Sequence, residues 1–246
     1  MQSWKNYIPI PIKLFLKIIL QSASDFFNGR TKIICTAKNI RQHLPVTLKQ
    51  IVSIEQEIKI NDTSANKIHN LSLAINKINN IEIAPGHIFS FWKLAGEPSK
   101  KNGYIKSRSI VGGELEAAIG GGLCQLSGLI YFLSLQTGLT ILERHQHSID
   151  IYKNEERFTP LGSDATVSYG YKDFRFTNNF KFPVYLSFKL TNNLLTGTVL
   201  ATENIELCTI KFEYKKHNTF IQVKTICTSN RQSTIIANNN YALLKQ

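Results

Sequence analysis

Gly120-Gly121-Gly122-Leu123-Cys124-Gln125-Leu126-Ser127 opens an apolar run that continues to Thr137-Gly138. Three glycines ahead of a proline-free run of this length predict a tight loop feeding the N-terminus of a buried helix, which Gly138 ends. Cys124 then stands in the first helical turn, where backbone N–H groups lack intrahelical acceptors and the positive end of the helix dipole lies. A thiol placed there ionises more readily than a free one, and the thiolate is the nucleophilic form. A cysteine in an apolar helix is also a common small core residue, so the position reads as nucleophile or as packing. Further on, Glu143-Arg144-His145-Gln146-His147-Ser148 brings the one close pair of histidines in the chain. Residues 139–148 alternate as a strand, which would set Glu143, His145 and His147 on one face and Arg144 and Gln146 on the other.

Working outward, residues 109–117 read as two short strands around Gly112-Gly113, the second leading into the glycine loop. Asp62-Thr63-Ser64 starts a helix in which Ile68, Leu71, Ile75 and Ile78 repeat at three- and four-residue steps to about Asn80, with His69 beside the stripe. Ala84-Pro85-Gly86 makes a turn, and residues 87–92 carry Phe89, Phe91 and Trp92 as a buried strand or wall. Residues 30–60 form a connecting segment with one strand over 51–60. From Pro183 onward the chain reads as strands at 184–190, 195–201, 205–214 and 220–227, with Asn192-Asn193 as a turn. The expected fold class is α+β: a central buried helix and an amphipathic helix packed on a mainly antiparallel sheet, with a β-rich C-terminal part. The domain division is a basic N-terminal helical and connecting segment, 1–60, and one domain, 61–246, with its motif core at about 85–190.

A chain of 246 residues with 43% hydrophobic and 19% charged residues can bury a core and is not a disordered polymer. Cysteines at 35, 124, 208 and 227 show no short spacing, so neither a disulfide framework nor a zinc ribbon is expected. The net charge is +12, and half of it lies in residues 1–60, where nine Lys/Arg face three Asp/Glu. Anionic partners follow: membrane headgroups or wall polymers. No basic run is dense enough, or interleaved with aromatics, to point to nucleic acid. Ile12, Phe15, Ile19 and Phe26 share a helical face beside Lys13 and Lys17, so a surface helix is expected, docked on the domain in the first instance and able to make peripheral contact with an anionic membrane. The lysines interrupt the apolar run and no cleavage site follows, so no signal peptide or membrane-spanning helix is expected, and the location reads as cytoplasmic or membrane-peripheral.

The ordered motifs Pro85-Gly86, Phe89-Ser90-Phe91-Trp92, Gly103-Tyr104, Gly120 to Ser127, Glu143 to Ser148 and Pro160-Leu161-Gly162-Ser163-Asp164-Ala165-Thr166-Val167 resemble those of VanW-like proteins over residues 60–190. That resemblance implies cysteine-dependent L,D-transpeptidase chemistry on peptidoglycan stem peptides, an activity that would require export. It implies Cys124 as nucleophile, His147 as base and Asp164 as the acid beside it. The residues admit the same chemistry, with His145 as second-choice base and Asp164 alternatively a turn cap. Gly121, Gly122, Leu123 and Gln125 would line the substrate position, and backbone N–H groups around Leu123 and Cys124 would form an oxyanion site. Arg144 reads as an ion-pair partner or as a clamp on a substrate carboxylate. No cofactor is expected. Two other readings stand beside this one: a non-catalytic wall- or membrane-binding module, and a zinc hydrolase using His145 and His147 with Cys124 or Asp164.

Overall fold

The structure, a computed structural model, describes residues 9–60, 62, 64–111, 114–150, 157 and 159–243. Its helices are α1 (Ile10–Phe27), α2 (Ser64–Ile78), α3 (Phe91–Ala95) and α4 (Leu123–Gln136). Its strands are β1 (Lys49–Glu57), β2 (Ile81–Ile83), β3 (Ile88–Ser90), β4 (Lys106–Val111), β5 (Glu114–Ile119), β6 (Thr140–Glu143), β7 (Ile149–Asp150), β8 (Arg175–Thr177), β9 (Val184–Thr191), β10 (Leu194–Ala201), β11 (Thr209–Lys216), β12 (Phe220–Ser229) and β13 (Gln232–Leu243). This is a mixed α and β architecture with mainly antiparallel pairing. One sheet runs β1-β10-β9-β2, a second β11-β12-β13-β7 and a third β3-β8-β6, and β4-β5 is a separate hairpin. The β13–β7 pair is parallel.

Helix α4 is apolar nearly all round, and Leu126, Leu129, Ile130 and Leu133 are fully buried. Strand β10 alternates, turning Leu195, Val199 and Ala201 inward. Between them Gly197 lets the helix approach: a Cβ there would lie 2.8 Å from the Leu129 side chain. Helix α2 closes the other flank with Leu71, Ala74, Ile75 and Ile78. The aromatic wall read at 87–92 is core, with Phe89 stacked on Phe176 at 5.0 Å.

Several boundaries differ from the sequence reading. The strand expected over 139–148 stops at Glu143, because the next residues turn side chains and backbone toward residues 162–166 instead of a neighbouring strand: Thr166 N–H donates to His145 O at 2.7 Å, and Arg144 and His147 bond Asp164. Past Ser90 the expected strand becomes helix α3, whose Lys93 N–H is capped by the Ser90 hydroxyl at 3.3 Å. Strand β1 starts and ends earlier than read, and β11 starts at Thr209 rather than 205. Strand β13 has no counterpart in the sequence reading. The Gly112-Gly113 turn, Thr63 of the helix start and part of the loop before Ser163 lie outside the described residues.

Helix α1 docks through one face. Leu14 and Ile18 fit against Gly170, where a Cβ would come within 2.2 Å of the Leu14 side chain. Both carboxylate oxygens of Asp25, 2% exposed, accept from Arg175 Nη1 at 2.8 and 3.1 Å, and Arg175 also donates through Nε to Asp173 at 2.7 Å. Breaking a buried pair while one partner keeps another counter-charge destabilises by about 1–3 kcal/mol. Asp25→Asn should therefore lower the urea midpoint without changing the slope of the transition; an unchanged midpoint would mean that this contact contributes nothing to the fold.

Candidate functional site

The glycine loop is held from below. Asn70 of α2, fully buried, donates to Ile105 O and Gly121 O at 3.0 Å each and accepts from Ile105 N–H at 3.0 Å. Gly121 passes so close to β4 that a Cβ would sit 2.2 Å from Ser107 O, and Gly122, the residue before the helix, has φ 100°. These constraints put Cys124 in the first turn of α4, half-buried, with Sγ 3.8 Å from Val167 O. Residues 163–167 lie along the same turn: Ser127 Oγ donates to Ala165 O at 2.6 Å, and Gly128 gives the backbone of Ser163 and Asp164 room at 3.6–3.7 Å. Asp164 is thereby set over the helix start.

Four donors converge on its carboxylate. Oδ2 accepts from the His147 backbone N–H and from Nδ1, both at 2.7 Å; Oδ1 accepts from Arg144 Nη2 at 2.9 Å and from the Tyr241 hydroxyl at 2.5 Å. Burial alone would raise the acid, but the hydrogen bond from His147 and the charges of Arg144 and His147 outweigh it and hold the carboxyl far below its usual range. With Nδ1 committed to Asp164, the other ring nitrogen of His147 is the one left to hydrogen-bond Cys124. Burial works against a charged imidazole, yet the bonds to Asp164 and Cys124 push His147 up to about 10. For Cys124, burial raises the thiol, and the hydrogen bond and charge of His147 reverse this to a net lowering. Both shifts favour the thiolate–imidazolium form of the pair, the form competent for nucleophilic attack. Burial pushes Cys35 and Cys208 in the opposite direction, each up to about 12, and Cys208 also feels its neighbour Cys227.

The remaining residues read from sequence take distinct places. His145 bonds Glu143 at 3.0 Å and is not brought to Cys124. Arg144, its side chain 7% exposed, spends its guanidinium inward on Asp164, Asn239 at 2.6 Å, Tyr241 at 3.0 Å and the carbonyls of Gly162 and Asp164, and lies 4.9 Å over the Tyr131 ring. A substrate carboxylate would have to displace these bonds. Gln125 turns away from the thiol and donates to Glu57 O at 3.1 Å. Leu123 is buried, and Gly121 and Gly122 shape the loop. No group of three His, Cys, Asp or Glu side chains spaced for a metal occurs among the described residues, the two imidazoles being engaged by different carboxylates.

Sequence reading missed Ser127, Gly128, Tyr131, Asn239, Tyr241 and Lys67. The Lys67 side chain lies across Gly122, and burial together with Arg108 brings its ammonium down to about 8 while the Cys124 charge acts the other way. The available sign was Asn66 and Asn70, four residues apart beside an apolar stripe, which anchor this face of α2 to Lys106, Ile105 and Gly121.

A family model described as VanW like protein matches residues 66–200. The chain is 29% identical over 199 residues to "Uncharacterized protein YoaR" of Bacillus subtilis (strain 168), covering 78% of this chain and 64% of that protein. It is 33% identical over 136 residues to "Vancomycin B-type resistance protein VanW" of Enterococcus faecalis (strain ATCC 700802 / V583), covering 55% of this chain and 50% of that protein. The matches thus span between half and just under two thirds of these curated relatives. No solved structure gave a significant match. Cys124, His147 and Asp164 all fall inside the matched segment, and on a match covering more than half of its length the chain belongs to the VanW-like family.

Proposed function

We propose that this chain has a cell-wall role, in which Cys124 carries out acyl transfer of the L,D-transpeptidase type on peptidoglycan stem peptides. One observation carries the reading: Cys124 is paired with an imidazole whose far nitrogen is fixed by Asp164. Membership of a family that includes a relative named for vancomycin B-type resistance supports the choice of substrate.

The proposed reaction runs through the Cys124–His147 pair. The thiolate attacks the carbonyl that precedes a terminal D-alanine, and the oxyanion meets the unpaired N–H groups at the start of α4. The C–N bond breaks, His147 gives its proton to the departing D-alanine amine, and a thioester remains on Cys124. An acceptor amine then attacks the thioester, returns a proton to His147 and releases the thiolate. Asp164 stays ionised throughout and holds the ring in one tautomer. Tyr241, Arg144 and Asn239 hold Asp164, directly or through each other.

Intact-mass measurement after incubation with a stem tetrapeptide ending in D-alanine tests this. Wild-type protein should gain the acyl mass less D-alanine; Cys124→Ala should gain none, and His147→Ala should acylate at least about a hundredfold more slowly. His145→Ala should be close to wild type. Wild-type protein that alkylates at Cys124 but never takes the acyl group would contradict the reading and favour a binding module.

The same pair sets the pH profile. His147 must be protonated to serve the leaving amine, and with its affinity for a proton raised to about 10 it stays so through neutral pH. Acylation should therefore fall on the acid side as the thiolate is lost and on the alkaline side near 10. In Asp164→Asn the imidazolium loses its counter-charge, so the alkaline limb should move to lower pH. An unmoved limb would take His147 out of the proton transfer.

A further inference from the structure

The outward side of α1 is a surface the catalytic reading leaves unused. Its 18 residues span about 27 Å. Ile12, Phe15, Leu16, Ile19, Leu20, Phe26 and Phe27 are all exposed, Leu20 by 68%, Phe26 by 69% and Phe27 by 85%. At roughly 100° per residue these seven fall within an arc of roughly 140°, with Ala23 between them and no polar residue interrupting it. The opposite arc carries Leu14, Ile18 and Asp25, the side chains that hold the helix to the domain.

The charges around this stripe have one sign. Lys13 and Lys17 border it, and exposed Arg30 and Lys32 follow the helix. Asp25 is the helix's one acid, and it is 2% exposed and paired inward with Arg175. Lys17 lies 5.3 Å over the Tyr171 ring. We propose that α1 lies in the surface of an anionic bilayer, with this apolar arc in the headgroup and upper acyl region and the bordering lysines on lipid phosphates. An apolar ridge with cations along one edge and beyond its C-terminal end suits a soft negatively charged surface, the arrangement of interfacial helices. Among the described residues no helix is long and apolar enough to cross a membrane, so the contact is lateral. The domain side of the helix keeps its own contacts, so binding requires no unfolding.

Flotation of the full chain with vesicles tests this independently of catalysis. The chain should co-float with phosphatidylglycerol–phosphatidylcholine vesicles at low salt, and less with phosphatidylcholine alone. Phe15→Ser combined with Leu20→Ser and Phe27→Ser should lower partitioning by about tenfold or more, and its thermal melt should match wild type because all three side chains are solvent-facing. Lys13→Gln with Lys17→Gln should weaken binding to the anionic vesicles and leave the neutral ones unchanged. Cys124→Ala should float as wild type does. The proposal is overturned if wild type floats with neither vesicle, or if the triple variant floats equally well. It is also overturned if sedimentation shows a dimer that the triple variant abolishes, which would make the ridge an interface between copies of this chain.

Discussion

The Asp164 carboxylate is the point on which the site closes. A carboxylate with 15% of its side chain exposed is costly unless donors surround it, and here two donations from His147, one from Arg144 and one from Tyr241 occupy both oxygens. The donors come from separate parts of the chain: the segment after β6, and β13 at the far end of the sequence. A buried ionic cluster of this kind is weak evidence for stability and better evidence for geometry. It holds one imidazole in place, and the hydrogen bond and charge of that imidazole lower the Cys124 thiol.

The helix start sets the other half of that geometry. Asn70 grips the glycine loop, Gly121 presses it against β4, and Ser127 and Gly128 bring residues 163–165 onto the first turn of α4. The thiol therefore meets a hydrogen-bonding imidazole and lies 3.8 Å from Val167 O, in the first turn of α4 at the positive end of its dipole. The Lys67 side chain lies across Gly122, and the charge of Cys124 favours its protonated form.

Local pattern made much of this legible. The glycine loop and apolar run gave α4 to within a residue, and the period of Ile68, Leu71, Ile75 and Ile78 gave α2. The motif containing Asp164 marked the acid, though whether it capped a turn or oriented a histidine was a question only the fold could answer. Where side chains hold the backbone, pattern misled: the strand through His147 ends at Glu143 because Asp164 draws Arg144 and His147 out of register. Strand β13 was invisible because most of Gln232–Leu243 is exposed and its run of Asn238, Asn239 and Asn240 gives no apolar alternation, so Asn239 and Tyr241 reach the site by a contact nearly a hundred residues long. The apolar stripe of α1 could be read from sequence, but the expectation that it docks on the domain is reversed: Ile12, Phe15, Ile19 and Phe26 are exposed, and the arc of Leu14, Ile18 and Asp25 meets Gly170 and Arg175 instead.

The central claim is that His147, held by Asp164, keeps Cys124 as a thiolate. The direct measurement is the pH titration of thiolate ultraviolet absorbance, taken as wild type minus Cys124→Ala so that Cys35, Cys208 and Cys227 cancel, and repeated on a His147→Ala background. The account predicts a wild-type midpoint below the free-thiol value of roughly 8.5 and an upward move of about one unit or more when the imidazolium is removed. A wild-type midpoint at or above the free-thiol value, or one that ignores the loss of His147, would contradict it.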